Sequence, residues 1–138
     1  MYRYDKAMMG TASIWAEQSY CERHKVGAVI SRSGRVVSIG YNGTVSGSDN
    51  CCEIEVDGAL VSKPSVVHAE ANALMFAAKN GIATNECSLF VTLTPCIECA
   101  KMIIQAGIKE VVYKDDYRLS DGRDFLAENG ILVRQLKE

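Results

Sequence analysis

The chain is short of several things that would place it in a large functional class. Its 138 residues include two prolines, two histidines and one tryptophan. No stretch approaches the roughly 18 consecutive apolar residues that mark a membrane-spanning helix. The formal charge is −2, so no basic excess points to nucleic acid, and no Lys/Arg block points to an anionic membrane surface. The opening M-Y-R-Y-D-K-A-M-M-G has no apolar run of the secretory kind, and the expected compartment is the cytoplasm. Length and the absence of linkers, repeats or low-complexity segments suggest one domain over residues 1–138.

Cysteine, by contrast, is plentiful. Six cysteines in a cytoplasmic chain read as metal ligands, catalytic groups or buried thiols before disulfides. Residues 4–20 carry apolar side chains at helical spacing, at Ala7, Met8, Ala12, Ile14 and Trp15. K-V-G-A-V-I-S-R and R-V-V-S-I-G-Y-N flank S-G-R as a hairpin. Residues 43–64 are rich in turn formers and read as a long loop. Next come a helix from His68 to its Asn80-Gly81 stop and an apolar strand at 87–93. A helix opening at Pro95 and ending at Gly107 follows. K-E-V-V-Y-K, S-D-G-R-D-F-L-A-E-N-G and I-L-V-R-Q-L then give strand, helix and strand. The order α-β-β-α-β-α-β-α-β predicts a mixed sheet, with an antiparallel hairpin at one side and βαβ crossovers after it.

In T-P-C-I-E-C, Cys96 and Cys99 stand at i and i+3 at the start of a helix, so both sulfurs share one face. The positive end of a helix also favours thiolate. Alone, the pair reads equally as a redox couple or as buried thiols. His68 adds a third ligand of the right kind for zinc. Three protein ligands leave a fourth tetrahedral position for water, as in catalytic sites, and a metal there lowers the pKa of that water to about 7. Glu70 is then a carboxylate beside the open position that can move protons. Residues two apart on a helix face opposite ways, so His68 must sit at the non-helical or first-turn end for both to converge.

The order His68-Ala69-Glu70, then Pro95-Cys96-Ile97-Glu98-Cys99, resembles the signature of zinc-dependent nucleobase deaminases. K-V-G-A-V-I (25–30), G-Y-N-G (40–43), N-C-C-E (50–53), H-A-E-A-N-A (68–73) and P-C-I-E-C-A-K-M-I-I-Q-A-G-I-K-E-V-V-Y (95–113) extend the likeness. Through them the chain resembles the short phage or bacterial type of deoxycytidylate (dCMP) deaminase. The resemblance implies a three-layer α/β/α cytidine deaminase-like fold with a mixed five-stranded sheet and an antiparallel β1–β2 hairpin. It implies hydrolysis of dCMP to dUMP and ammonia, supplying dUMP for thymidylate synthesis, in a host cytoplasm if the gene is a phage's. One Zn²⁺ would be held by His68, Cys96 and Cys99, with Glu70 as proton carrier. Asn42 matches a deoxyribose contact, Tyr117 a substrate-binding tyrosine, and Ala69 lies in the substrate wall. Asn72 sets this family apart from adenosine deaminases acting on tRNA.

Lys25, Arg23 and Arg118 are candidates for the 5′-phosphate, although most such side chains are solvated surface charges. Tyr117 reads equally as a core tyrosine with a satisfied hydroxyl. The resemblance further implies a homohexamer activated by dCTP and inhibited by dTTP, with Mg²⁺ accompanying the nucleotide effector. The regulatory loop would be Gly40, Tyr41, Asn42, Gly43 and Gly47, with Val45 where the family has proline. Cys21 and Cys51 fall where some relatives hold a second, structural zinc; buried thiols are the plainer expectation. The rival readings are a cytidine, tRNA-adenosine or riboflavin-precursor deaminase of the same fold, and a non-catalytic zinc-stabilised binding module. Neither nucleic acid nor membrane is expected as a partner.

Overall fold

Alternation explains the architecture. In β1 (Gly27–Arg32), β5 (Ser88–Leu93) and β6 (Glu110–Asp115) consecutive central residues are buried, because successive side chains serve opposite faces of a sheet covered on both sides. Ala28, Ile30, Leu89, Val91 and Val111 point to one core, with Leu74, Ile103 and Leu126. Val29, Phe90 and Val112 point to the other, with Met8, Met9 and Ala12. A computed structural model describes residues 2–137. Helix α1 (Asp5–Ala16) covers the second face. Helices α2 (Ala69–Lys79), α3 (Ile97–Gln105) and α4 (Asp121–Glu128) cover the first.

With β2 (Arg35–Tyr41) and β7 (Leu132–Gln135), the five-stranded sheet runs β2-β1-β5-β6-β7. β1 is antiparallel to β2 and β5, and β5, β6 and β7 are parallel. The three-layer mixed sheet with its antiparallel first hairpin is therefore present. Two expectations are corrected. The stretch expected to be a loop contains a separate hairpin, β3 (Glu53–Val56) with β4 (Ala59–Ser62). Its turn is Asp57-Gly58, both with positive φ (50° and 79°), as a two-residue hairpin of this kind requires. The first helix ends at Ala16 rather than near residue 20, and its buried stripe is Asp5, Met8, Met9, Ala12 and Ala16. Ile14 and Trp15 fall off that stripe, and Trp15 stacks on Tyr41 with ring centroids 6.1 Å apart. Among the described residues, no helix is long and apolar enough to cross a membrane.

One ion pair closes the sheet's far edge. Arg134 of β7 meets Asp5 with two hydrogen bonds, 2.9 and 3.1 Å, and donates from Nε to Glu110 at 3.0 Å. Asp5 is only 2% exposed. The hydrogen bonds from Arg134 hold its carboxyl below the usual range. Removing one partner of a buried pair strands the other, so Asp5→Ala should lower unfolding free energy by roughly 3 kcal/mol near neutral pH. A depressed folded pKa adds stability above the unfolded value and loses it as pH falls through the folded one. Urea unfolding of both proteins should show a constant gap from about pH 5 to 8 that closes in acid. A gap that widened in acid would contradict the assignment.

Candidate active site and metal centre

Two helices begin at the site. His68 is the N-cap of α2, with extended backbone (φ −71°, ψ 157°). Cys96 is the N-cap of α3, also extended (φ −75°, ψ 170°). His68 thus lies outside the helix that holds Glu70, which removes the conflict between residues two apart. Its Nδ1 lies 3.5 Å from Cys96 Sγ and 3.4 Å from Cys99 Sγ. All three donor atoms lie within 4.8 Å of one another.

These distances test the fit of a metal. Zinc–sulfur bonds of about 2.3 Å and zinc–nitrogen bonds of about 2.0–2.1 Å, at a tetrahedral angle, separate nitrogen and sulfur by about 3.6 Å. Two sulfurs converging on one imidazole nitrogen at nearly that distance suit a shared cation. The Cys99 hydrogen bond, aided by His68, lowers Cys96 to about 3. The bond to Cys96, with burial, raises Cys99, and the hydrogen bond with the Cys96 sulfur raises His68. Such a proton-sharing donor set is what metal binding displaces. Glu70 is 4% exposed and is not among the donors. Burial pushes it up to about 7.

Part of this geometry is set from behind. A Cβ on Gly40 would run into the Ala69 carbonyl oxygen and the Ala73 nitrogen. Only glycine lets β2 approach the first turn of α2 so closely. Ala69 is itself fully buried at that contact.

The donors open into a cavity of about 210 Å³ whose walls include Arg23, His24, Asn42, Glu53, Ser62, Ala69, Glu70, Thr94 and Tyr117. Asn42 reaches it, but its amide is engaged with main chain. Oδ1 accepts from Val26 N at 2.9 Å and Nδ2 donates to His24 O at 2.7 Å. Tyr117 faces the imidazole of His24 edge-on at 6.1 Å. Arg23 donates to Ser62 Oγ at 3.2 Å. Lys25 is not brought to this cavity; it lines a neighbouring cleft with Lys114 and Asp115. Arg118 lies 5.9 Å over the Tyr117 ring, and is not part of the cavity wall. Glu53 is an unexpected member of the cavity wall. Its buried carboxylate accepts the N–H groups of Glu22 and Arg23 at 3.0 and 3.1 Å, fixing the wall that carries Arg23.

The expected regulatory residues are spread along the end of β2 and the turn after it. Tyr41 accepts a 2.6 Å hydrogen bond from Asn72, Gly43 pairs with Val67 in an isolated bridge, and Gly47 adopts a positive φ of 86°. Of the two residues expected for a second metal, Cys21 lies with Cys52 and Glu53, their donor atoms within 4.8 Å of one another, and Cys51 is not in that group. Cys21 is joined to Cys52 as a disulfide, Cα to Cα 5.2 Å. Cys51 is exposed, its thiol donating to Glu53 O at 3.2 Å. Neighbours in extended chain face opposite ways, so only one of residues 51 and 52 can meet Cys21.

A His/Cys/Cys donor set beside a buried carboxylate, on an α/β/α sheet, defines an enzyme of the cytidine deaminase-like class. The chain belongs to the cytidine and deoxycytidylate deaminase family, whose zinc-binding region matches residues 2–115. It is 35% identical to the deoxycytidylate deaminase of Enterobacteria phage T4 over 144 residues, 77% of this chain and 75% of the relative. It is also 35% identical to ComE operon protein 2 of Bacillus subtilis over 138 residues, 97% of this chain and 71% of that protein. The crystal structure of the cyanophage S-TIM5 dCMP deaminase, in complex with dCMP and dUMP, superposes with a TM-score of 0.90. That match has 44% identity over 95% of each chain.

Alkylating the denatured, chelator-treated protein without reductant should label Cys51, Cys87, Cys96 and Cys99. Mass spectrometry should find Cys21 and Cys52 labelled only after reduction, with their peptides linked until then.

Proposed function

We propose that the chain hydrolyses dCMP to dUMP and ammonia at this cavity, with His68, Cys96 and Cys99 holding one zinc ion. The observation that carries the reading is the convergence of both sulfurs on His68 Nδ1, at 3.4 and 3.5 Å, beside the non-ligating Glu70. Bound zinc would supply the Lewis acidity that makes water nucleophilic near neutral pH. Glu70 takes the proton of the attacking water, passes it to N3 of the cytosine ring and then assists the amine at C4 to leave as ammonia. Water supplies the oxygen of the new carbonyl, so no other reactant is needed. The burial of Glu70 keeps bulk water from competing for that proton.

Substrate selection falls to the walls. Tyr117 and His24 offer an aromatic surface to the nucleoside. Asn42 holds residues 24–26 in place and so shapes the deoxyribose side. Arg23, positioned by Glu53 and Ser62, offers a cation at the rim for a 5′-phosphate, a role to which Lys25 does not reach. The S-TIM5 deaminase crystallised with dCMP and dUMP supports the same substrate here.

Ammonia release should be fast with dCMP and weak with deoxycytidine, CMP and adenosine. Glu70→Gln should remove turnover, with a loss of at least about a hundredfold for a proton-transfer group, while zinc content stays at one per chain. Cys99→Ser should lose the metal, and Cys51→Ser should keep it. Preferred turnover of adenosine or free cytidine would replace this substrate assignment, and an active Glu70→Gln would sink the mechanism.

We infer also that the loop at 40–47 is coupled to the site. The Gly43–Val67 bridge, with hydrogen bonds of 3.0 and 2.7 Å, fastens it to the residue before His68. A dCTP or dTTP effector bound there, with Mg²⁺, would act on His68 through that bridge. Such regulation would operate in the homo-oligomer that the family resemblance implies. With dCTP present, dCMP saturation curves should shift to lower substrate concentration. Unchanged hyperbolic curves in dCTP and dTTP would exclude regulation.

A further inference from the structure

Helix α4 begins beyond the residues that the family model matches, yet its first turn touches both halves of the site. Gly122 is buried against the loop that carries Cys96. A Cβ there would run into the Pro95 carbonyl oxygen and stand 2.7 and 2.9 Å from the carbonyl carbon and oxygen of Cys96. The obstacle is main chain, which cannot rotate away as the end of a side chain can. Helix propensity alone would make alanine the better residue at this position, so close approach is the physical reason for glycine.

The next residue reaches the other half. Arg123 Nη1 donates to Asp116 Oδ1 at 2.8 Å, and Asp116 precedes Tyr117. Thr94, next to Pro95, joins the two sides. Its hydroxyl donates to Asp115 O at 3.0 Å and accepts from Tyr117 N at 3.3 Å. One helical turn thus backs a metal ligand through Gly122 and a substrate-facing loop through Arg123.

We propose that the first turn of α4 is a positioning element of the site: Gly122 sets Cys96 for the metal, and Arg123, through Asp116, sets Tyr117 for the substrate. The inference rests on the reading of the cavity as a zinc-dependent dCMP deaminase site. The two residues act on separable quantities. Moving Cys96 weakens the metal centre, whereas moving Tyr117 weakens substrate binding with the metal intact. A purely structural role for α4 would instead lower stability and affect both in step.

The test measures zinc affinity by competition with a chromophoric chelator, together with kcat and KM for dCMP and the melting temperature. The proteins are wild type, His68→Ala, Gly122→Ala, Arg123→Ala, Arg123→Lys and Leu126→Ala. Loss of the bound zinc in His68→Ala tests the reading of the site by itself, whatever α4 does. Gly122→Ala should lower zinc affinity roughly tenfold to a hundredfold, the range for groups that orient metal ligands. Arg123→Ala should bind zinc normally and raise KM by up to about tenfold, the scale of one lost hydrogen bond, and Arg123→Lys should recover part of the loss. Leu126, buried in the core on the same helix, is the stability control: its alanine variant should melt earlier with zinc affinity and KM unchanged. The proposal is overturned if Gly122→Ala binds zinc like wild type, or if Leu126→Ala weakens zinc as much. An unchanged KM in Arg123→Ala also overturns it, and that variant removes only side-chain contacts to Asp116, Asp124 and the Tyr113 hydroxyl, so it decides even where Gly122→Ala does not fold.

Discussion

Everything at the site depends on two helices starting at one place. Each supplies an N-cap residue in extended backbone, His68 or Cys96, and a first-turn residue, Glu70 or Cys99. The capping position frees a side chain from helical geometry, so side chains only two or three residues apart can converge. The same helix ends present unpaired N–H groups and positive partial charge, which favours the thiolate form a metal requires. A buried carboxylate, two thiols and an imidazole would otherwise be a costly assembly to remove from water. A shared cation is the economical resolution.

The rest of the fold can be understood as holding those two helix ends in register. β5 runs between them, since α2 leads into it and α3 leaves it. Its both-faced burial fixes it at the centre of the sheet. Gly40 lets β2 press against the start of α2, and α4 presses against the Pro95–Cys96 main chain. At the far edge, Arg134 joins residues 129 apart in sequence by gripping Asp5. The donors His68, Cys96 and Cys99 therefore hang from the doubly covered part of the sheet.

How much of this was readable depended on the kind of signal. The buried strands were legible because two covered faces make them continuously apolar, and the metal donors because their spacing carries geometry. The β3–β4 hairpin was not. Ile54, Val56, Leu60 and Val61 are all more than 40% exposed, so no buried face imposed a pattern, although the Asp57-Gly58 turn was a usable sign. Choosing Cys51 over Cys52 was a one-residue question of which way extended chain faces, which spacing alone leaves open. Lys25 was misplaced for a similar reason, since proximity in sequence to Val26 and His24 does not say which side a side chain takes. Asp5 and Arg134 gave no local signal at all.

The two walls of the cavity are held by different means. The chemical wall is anchored in the sheet and its helices. The opposite wall, residues 21–24 and the β3–β4 hairpin, is tied down by the Glu53 carboxylate, the Arg23–Ser62 hydrogen bond and the Cys21–Cys52 link. A two-stranded hairpin is marginal by itself in water. A cross-link closing 31 residues contributes roughly 3–4 kcal/mol on a chain-entropy estimate, enough to hold such a unit in place. On the proposed reading, substitutions within the hairpin reshape the sugar and phosphate side of the cavity without disturbing the donor set. The donor set thus rests on the core of this fold, and the facing wall on an appendage stapled to it.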